Sequence, residues 1–372
     1  MKKRIAILTG GGHVATLNQG IGGAVIEAKK KGYDILGCLE GWKGMEEELF
    51  LDLNLTNEEL EDLLSSNGTV LKSSRTKPDL ERVKDNLKKN HIHAIIALGG
   101  EDTLSVAKDL YEEFKTNIVG WPKTMDNDLS HTYFCFGYPS AAKKAADTVR
   151  ESIETAYAHS RVALITMFGR NTDWVVTAAG AYGNADLIIP AEKEFSIDDI
   201  CERIIERYYK NNGYCVVAVA EGARLIGLQS HIKKEKKDAF GHEKLDPLAL
   251  AICLGDEIEK FCESKGYNIK TANIALTYQL RNGRPIEIER RLAIEAGKHC
   301  INMISEERYG EMASIIYDPD EKDFKISSVP IADAVNIRKV SDTDFFDYEN
   351  LCANESFYEY AKPFLGERKK RL

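Results

Sequence analysis

The stretches Arg4-Ile5-Ala6-Ile7-Leu8-Thr9-Gly10-Gly11-Gly12 and Ala94-Ile95-Ile96-Ala97-Leu98-Gly99-Gly100 decide the fold. Each is a short apolar run that stops on glycine. Each is followed by a helical pattern, Asn18–Lys31 after the first and Leu104–Phe114 after the second. Runs that stay apolar on consecutive residues are strands buried on both faces. Working outward, Tyr33–Leu39 and Ile118–Trp121 read as further strands, and Asn57–Ser65 and Pro78–Lys89 as helices. Thr56-x-x-Glu59 is a capping box opening the first of these helices. The second half repeats the style. It has strands at Val162–Met167, Ala185–Ile189, Tyr214–Ala220 and Ile274–Leu280, and helices at Ile197–Lys210, Leu248–Lys265 and Ile286–Glu306. This alternation predicts an α/β protein with mainly parallel sheets covered by helices. Such sheets bind ligands at the C-terminal ends of their strands, where the glycine turns lie.

With 372 residues the chain is long enough for two or three domains, and 43% hydrophobic residues supply a substantial core. The net charge of −9 makes it a poor general binder of nucleic acid or anionic membrane. No run of about 18 apolar residues offers a spanning helix. The N-terminal MKKRIAILTGGG has too short an apolar run for a signal peptide and reads as a buried first strand. Eight scattered cysteines without a CxxC pair read as reduced cytosolic thiols. The most polar segment, Lys233–Pro247, reads as a solvated loop, and the basic tail Glu367–Leu372 as a frayed end.

Three segments carry chemistry. Gly10-Gly11-Gly12 lets a backbone approach a phosphate at a helix N-terminus, although a ligand-free βα turn has the same sequence. It is neither a Walker A loop nor GxGxxG. Gly99-Gly100-Glu101-Asp102-Thr103 places two adjacent carboxylates on a glycine turn, where crowded like charges call for a divalent cation. The alternative is that Asp102 or Thr103 caps the next helix. Pro122-Lys123-Thr124-Met125-Asp126-Asn127-Asp128 gathers a lysine, a threonine and two aspartates in one loop. One carboxylate there would take a hydroxyl proton while Lys123 neutralises phosphate oxygens; an Asn-Asp turn is the plainer reading.

Together these segments resemble the A-type phosphofructokinase family, over roughly residues 4–310. Its glycine turn, GGDGS, PGTIDND, MGR, EGA and QRGG markers are similar to Gly11-Gly12-His13, Gly99–Thr103, Pro122–Asp128, Phe168-Gly169-Arg170, Ala220-Glu221-Gly222-Ala223 and Leu280-Arg281-Asn282-Gly283. Asp238-Ala239-Phe240-Gly241-His242 is similar to an element of the diphosphate-using members. The resemblance implies two Rossmann-like lobes with the active site in the cleft between them: an N-terminal lobe over 1–138, an acceptor lobe over 139–310 and an extension over 311–372. It implies a cytoplasmic, magnesium-dependent glycolytic phosphotransferase, assembled as a homodimer or homotetramer.

By position, the resemblance makes Asp126 the general base, with Lys123 and Arg170 on the transferring phosphate. Gly11, Gly12, Arg75, Gly100, Asp102 and Thr103 would face the donor, and Glu101 the magnesium ion. Thr124, Asp128, Phe168, Gly169, Glu221, Tyr278 and Arg281 would line the acceptor pocket. Arg161 matches an arginine that reaches the sugar phosphate of a neighbouring subunit. The ATP-using branch has glycine at positions 102 and 123; Asp102 and Lys123 are the choices of the diphosphate branch. The expected reaction is therefore phosphate transfer from diphosphate to the 1-hydroxyl of fructose 6-phosphate. An ATP enzyme, another sugar phosphate or polyol as acceptor, and a silent regulatory relative are the rivals. The last two draw on the altered turn His13–Asn18 and on Ala272 and Tyr278, which replace an arginine and a histidine of the family pattern. Gly22, Ile26 and Ile153 stand where regulated members carry effector-site arginines. His13, His242, Trp42, Trp121 and Trp174 read as structural.

Overall fold

The computed structural model describes residues 2–228, 240–241, 245–369 and 371. Asp238, Ala239 and His242 of the DAFGH element, and most of the polar loop, lie outside the described residues. In chain order the strands are β1 (Arg4–Thr9), β2 (Asp34–Cys38), β3 (Phe50–Asp52), β4 (Ile92–Gly99), β5 (Ile118–Thr124) and β6 (Phe136–Gly137). There follow β7 (Arg161–Met167), β8 (Leu187–Ile189), β9 (Glu194–Ser196), β10 (Cys215–Ala220), β11 (Arg224–Ile226) and β12 (Lys270–Leu276). Then come β13 (Glu311–Asp318), β14 (Asp323–Pro330) and the short pair β15 (Phe346–Asp347) and β16 (Cys352–Ala353).

Two compact units share the chain. The main segments of the first are Met1–Ser140 and Arg281–Arg338; those of the second are Ala141–Lys236, Glu243–Leu280 and Lys339–Leu372. Boundaries drawn along the sequence at 138 and 310 therefore do not follow the packing after residue 280. Glycine explains one return to the first unit. A Cβ on Gly23 would overlap the Ile294 carbonyl, and one on Gly297 the Gly20 carbonyl. Helices Leu17–Lys31 and Glu287–Ser305 thus touch backbone to backbone. Each interior glycine costs the helix about 1 kcal/mol against alanine, which this close approach offsets.

The sheet of the first unit runs β14-β13-β5-β4-β1-β2-β3, with β6 on β5. Its pairs are parallel except β13–β14 and β2–β3. From β1 the chain steps outward to β2, but from β4 it steps the other way to β5. The order reverses between β1 and β4, and crevices of this kind hold ligands. Leu8, Ile95, Leu104, Ile118 and Met312 anchor the core beneath. Helix Asn57–Ser65 begins at the expected capping box, with the Glu59 N–H on Thr56 Oγ1 at 3.2 Å and the Thr56 N–H on Glu59 Oε2 at 2.7 Å.

The second unit holds an all-parallel sheet, β12-β7-β10-β8. Val162, Leu164, Val217, Ile200 and Leu254 pack its core. Its C-terminal segment is tied down by Glu192, whose carboxylate accepts from the Val340 and Ser341 N–H groups at 3.0 and 2.6 Å. The tryptophans are packing residues: Trp121 stacks on Phe136 at 4.1 Å, Trp174 meets Phe345 at 5.9 Å, and Trp42 is buried. The cysteines are free, and burial raises the Cys38, Cys135, Cys215 and Cys300 thiols far from nucleophile range.

Candidate active site

Register brings three loops of the first unit together. Thr9 of β1 pairs with Leu98 of β4, and Gly99 of β4 with Pro122 of β5. The turns after β1 and β4 and the loop after β5 therefore leave the sheet side by side. Gly11 has φ +77°, and its N–H donates to Ser74 O at 2.9 Å. Ser73 Oγ donates to Gly11 O at 2.6 Å, and Ser74 Oγ to Glu40 O at 2.6 Å. These bonds lay residues 73–74 along the first turn and carry Arg75 to it.

Cations converge here. A Cβ on Gly11 would stand 3.2 Å from Lys123 Nζ, and one on Gly12 2.5 Å from Arg281 Nη1. A side chain at either position would push the cationic ends aside. Lys123 is 3% exposed. Burial, followed by the charges of Arg281 and Arg75, pulls its ammonium down to about 7, against the opposing pull of Asp126 and Asp128. A lysine crowded by other cations is under repulsion that a compact, multiply charged anion would relieve. Arg281, expected in the acceptor pocket, stands in this cluster, and Arg281 Nη1 donates to His13 O at 3.3 Å. The His13 ring bonds Asn282 Oδ1 through Nε2 at 2.7 Å, in keeping with a structural role.

The loop after β5 carries the carboxylates. The Asp126 N–H donates to Thr124 Oγ1 at 3.1 Å. Burial and the neighbouring Asp126 charge push Asp128 up to about 7, while Thr124 and Arg338 hold it down. Oδ1 of Asp128 is buried without a hydrogen-bond partner among the described residues. Glu101 and Asp102 are not on a turn: they form the first turn of helix Glu101–Phe114. The N-cap is Gly100, so neither Asp102 nor Thr103 caps this helix. Carboxylates in a first helical turn are stabilised by the helix dipole. Ser105 Oγ donates to Glu101 Oε1 at 3.0 Å. Thr103 is wedged against Gly10 and Gly99, where a Cβ would overlap its side chain, so it locks two turns together. Gly100 leaves room beside the Lys123 carbonyl, which would be 3.3 Å from a Cβ.

In the second unit, register again aligns strand ends. Met167 of β7 pairs with Ala220 of β10 and with Leu276 of β12. The loops bearing Phe168-Gly169-Arg170, Glu221 and Tyr278 therefore leave one edge. The Glu221 N–H donates to Met167 O at 2.8 Å, and the Gly222 N–H to Gly169 O at 3.0 Å. A Cβ on Gly222 would overlap the Arg170 carbonyl, so the two loops lie backbone to backbone. Nε of Arg170 is buried with no hydrogen-bond partner among the described residues. Phe168 meets the Tyr278 ring edge-on at 6.1 Å, and Tyr278 is 68% exposed. Ala272 lies within β12, paired with Ala163. Arg161 is not brought to this group. It opens β7 at the far end of a seven-residue strand, about 20 Å from Met167 at 3.3 Å per residue.

A family model described as Phosphofructokinase matches residues 4–304. The chain belongs to the phosphofructokinase family. It is 33% identical over 320 residues to a pyrophosphate–fructose 6-phosphate 1-phosphotransferase of Dictyoglomus thermophilum, covering 84% of this chain and 90% of that one. An enzyme of the same name from Streptomyces coelicolor is 33% identical over 92% of this chain and 98% of its own length. An ATP-dependent 6-phosphofructokinase 3 of the same organism is 30% identical over 93% of this chain and 99% of its own. The crystal structure of a pyrophosphate-dependent phosphofructokinase from Marinobacter aquaeolei superposes with a TM-score of 0.83, covering 99% of this chain and 92% of that one. At 21% identity this likeness speaks for the fold.

Among the described residues no group of three or more His, Cys, Asp and Glu side chains forms a metal cage. Magnesium does not require one, since it binds through one or two carboxylates, waters and substrate phosphates. The residues present fit that ion: Glu101 and its neighbour Asp102, side by side in the first turn of their helix, would offer it hard carboxylate oxygens.

Arg338 is the site residue that the sequence reading misses. It bonds the loop after β5 from 211 positions away, and nothing local in the sequence marks it.

Proposed function

We propose that this phosphofructokinase-family chain moves phosphate from diphosphate to the 1-hydroxyl of fructose 6-phosphate, in the cytoplasm and with magnesium. The observation that carries this reading is the buried Lys123, pressed by Arg75 and Arg281 beside the glycine turns. In the proposed step Asp126 takes the hydroxyl proton, and the freed oxygen attacks the terminal phosphorus of diphosphate. The bridging P–O bond breaks and inorganic phosphate leaves. Lys123 and Arg170 hold the transferring oxygens, so the chain supplies positioning and charge neutralisation. Glu101 would hold the magnesium ion, which neutralises phosphate charge when bound.

The relatives named for ATP give the donor a rival. A nucleotide needs room behind the transferring phosphate, where the ATP branch has glycine and this chain has Asp102. Like charges at about 4 Å repel by about 4 kcal/mol at an effective dielectric near 20, and magnesium offsets part of that. With fructose 6-phosphate and magnesium, diphosphate is expected to support turnover and ATP only weakly. Asp102→Gly should relax the exclusion. Side-by-side initial rates favouring ATP would overturn the donor assignment. Ala272, Tyr278 and the placement of Arg281 support a second reading for the acceptor, another sugar phosphate with the same donor. A panel of sugar phosphates and polyols separates the two.

Arg161 supports an oligomer. It stands at the opposite end of β7 from Arg170 and would serve the acceptor site of another subunit. Sedimentation is expected to give a dimer or tetramer. An active monomer at assay concentration would contradict this.

A further inference from the structure

We propose that Arg338 is a positioning residue for the base loop: its guanidinium clamps the Asn127 turn and so fixes the flanking Asp126 and Asp128. The inference rests on reading residues 124–128 as that loop.

Asn127 is fully buried and has φ +54°, in the left-handed region that Asn adopts more readily than other side-chained residues. Arg338 holds that turn on both its backbone and its side chain. Nε donates to Asn127 O at 2.8 Å, and Nη2 to Asn127 Oδ1 at 2.6 Å and Tyr133 O at 3.2 Å. Nη1 donates to Thr132 O at 2.6 Å. The backbone N–H of Arg338 donates to Asp128 O at 2.9 Å, and Leu129 forms an antiparallel bridge with Ile337. The Cys135 N–H adds a further bond to Asn127 Oδ1 at 2.8 Å. One planar fork thus ties the two ends of the loop 127–133 to each other. Lysine has the charge but cannot reach several carbonyls in fixed directions. The guanidinium also acts through space, since its charge favours the ionised form of Asp128. Asp128 faces Asp126, Thr124 and Arg338 in this pocket, with Lys123 and the Cys135 thiol close by.

The test compares the full chain with Arg338→Lys and Arg338→Met. Both are expected to lower kcat by roughly 10–10²-fold, the order lost when a reacting group is misplaced by about 1 Å, with a smaller change in KM for diphosphate. Arg338→Met should also move the acid limb of the kcat profile to higher pH, because Asp128 loses a favourable charge; Arg338→Lys should move it less. A lower melting temperature with the parental kcat and acid limb would overturn the proposal. A second readout needs no turnover. In protein labelled with 13C-carboxyl aspartate, the Asp128 titration midpoint should rise in Arg338→Met, and an unmoved midpoint overturns the proposal. A parent protein inactive with diphosphate and fructose 6-phosphate would overturn the proposed reaction instead, leaving the clamp to be decided by the titration.

Discussion

Asp126→Asn is expected to lower kcat by roughly 10²–10⁴-fold, the range a positioned general base contributes, with little change in KM for either substrate. The reason is geometric before it is electrostatic. β5 delivers the loop to the C-terminal edge of the sheet, and the Asp126 N–H is fixed on Thr124 Oγ1 at 3.1 Å. Asparagine keeps that backbone bond and the side-chain shape and removes only the basic oxygen. An interaction used in the transition state and not in binding shows as a fall in kcat and kcat/KM together. The pH profile supplies a companion sign. Asp128 is held at about 7 by burial and by Asp126. Below that pH Asp128 takes a proton, and its negative charge beside Asp126 is lost. Turnover by the parent should therefore fall on the acid side of about pH 7. A near-parental kcat for Asp126→Asn in steady-state assays would remove Asp126 from the role of base.

The sequence carries the architecture wherever burial is two-sided. β1 and β10 lie within a residue of where their apolar runs put them, and β4 contains the run Ala94–Leu98 but starts two residues earlier, at Ile92-His93. β12 shows the limit. The apolar run Ile274–Leu280 predicts the strand too late, for the strand is Lys270–Leu276 and Tyr278–Arg281 is a 3-10 turn. β12 is an edge strand with a polar, half-exposed beginning, so hydrophobicity does not mark where it starts. The reading assigns no element to Tyr138–Ala158, a 21-residue helix whose opening Tyr-Pro-Ser resembles a turn. Site residues are legible when they follow a strand directly, as Asp126 and Arg170 do. Arg281 beside Gly12, and Arg338 beneath Asn127, depend on contacts across more than two hundred residues. No local pattern encodes such contacts. The carboxylates Glu101 and Asp102 are visible as a pair, but their place in a helical first turn depends on Gly100 being the cap.

Lys123→Met should cut diphosphate-dependent kcat by roughly 10²–10³-fold, the loss seen when one preorganised donor to a developing charge is removed. Methionine keeps the aliphatic stem that fills the buried position, so the fold should survive. Lys123→Gly should damage diphosphate use as well, but it also opens a cavity. The sharper test is protonic. Burial and the charges of Arg281 and Arg75 pull the Lys123 ammonium down to about 7, against 10.5 for a free side chain. Between these values the folded chain holds fewer protons than the unfolded one. The penalty of this group is absent above about pH 10.5, grows as pH falls, and is complete below about pH 7, so stability rises with pH across that window. A diphosphate beside Nζ reverses the balance by supplying the negative charge that Arg75 and Arg281 lack. Binding at pH 8 should therefore be accompanied by proton uptake onto Lys123. Calorimetric titrations in two buffers of different ionisation enthalpy read that uptake directly, and Lys123→Met should abolish it. Uptake that persists unchanged in the variant would place the titrating group elsewhere and leave Lys123 without a part in holding the donor.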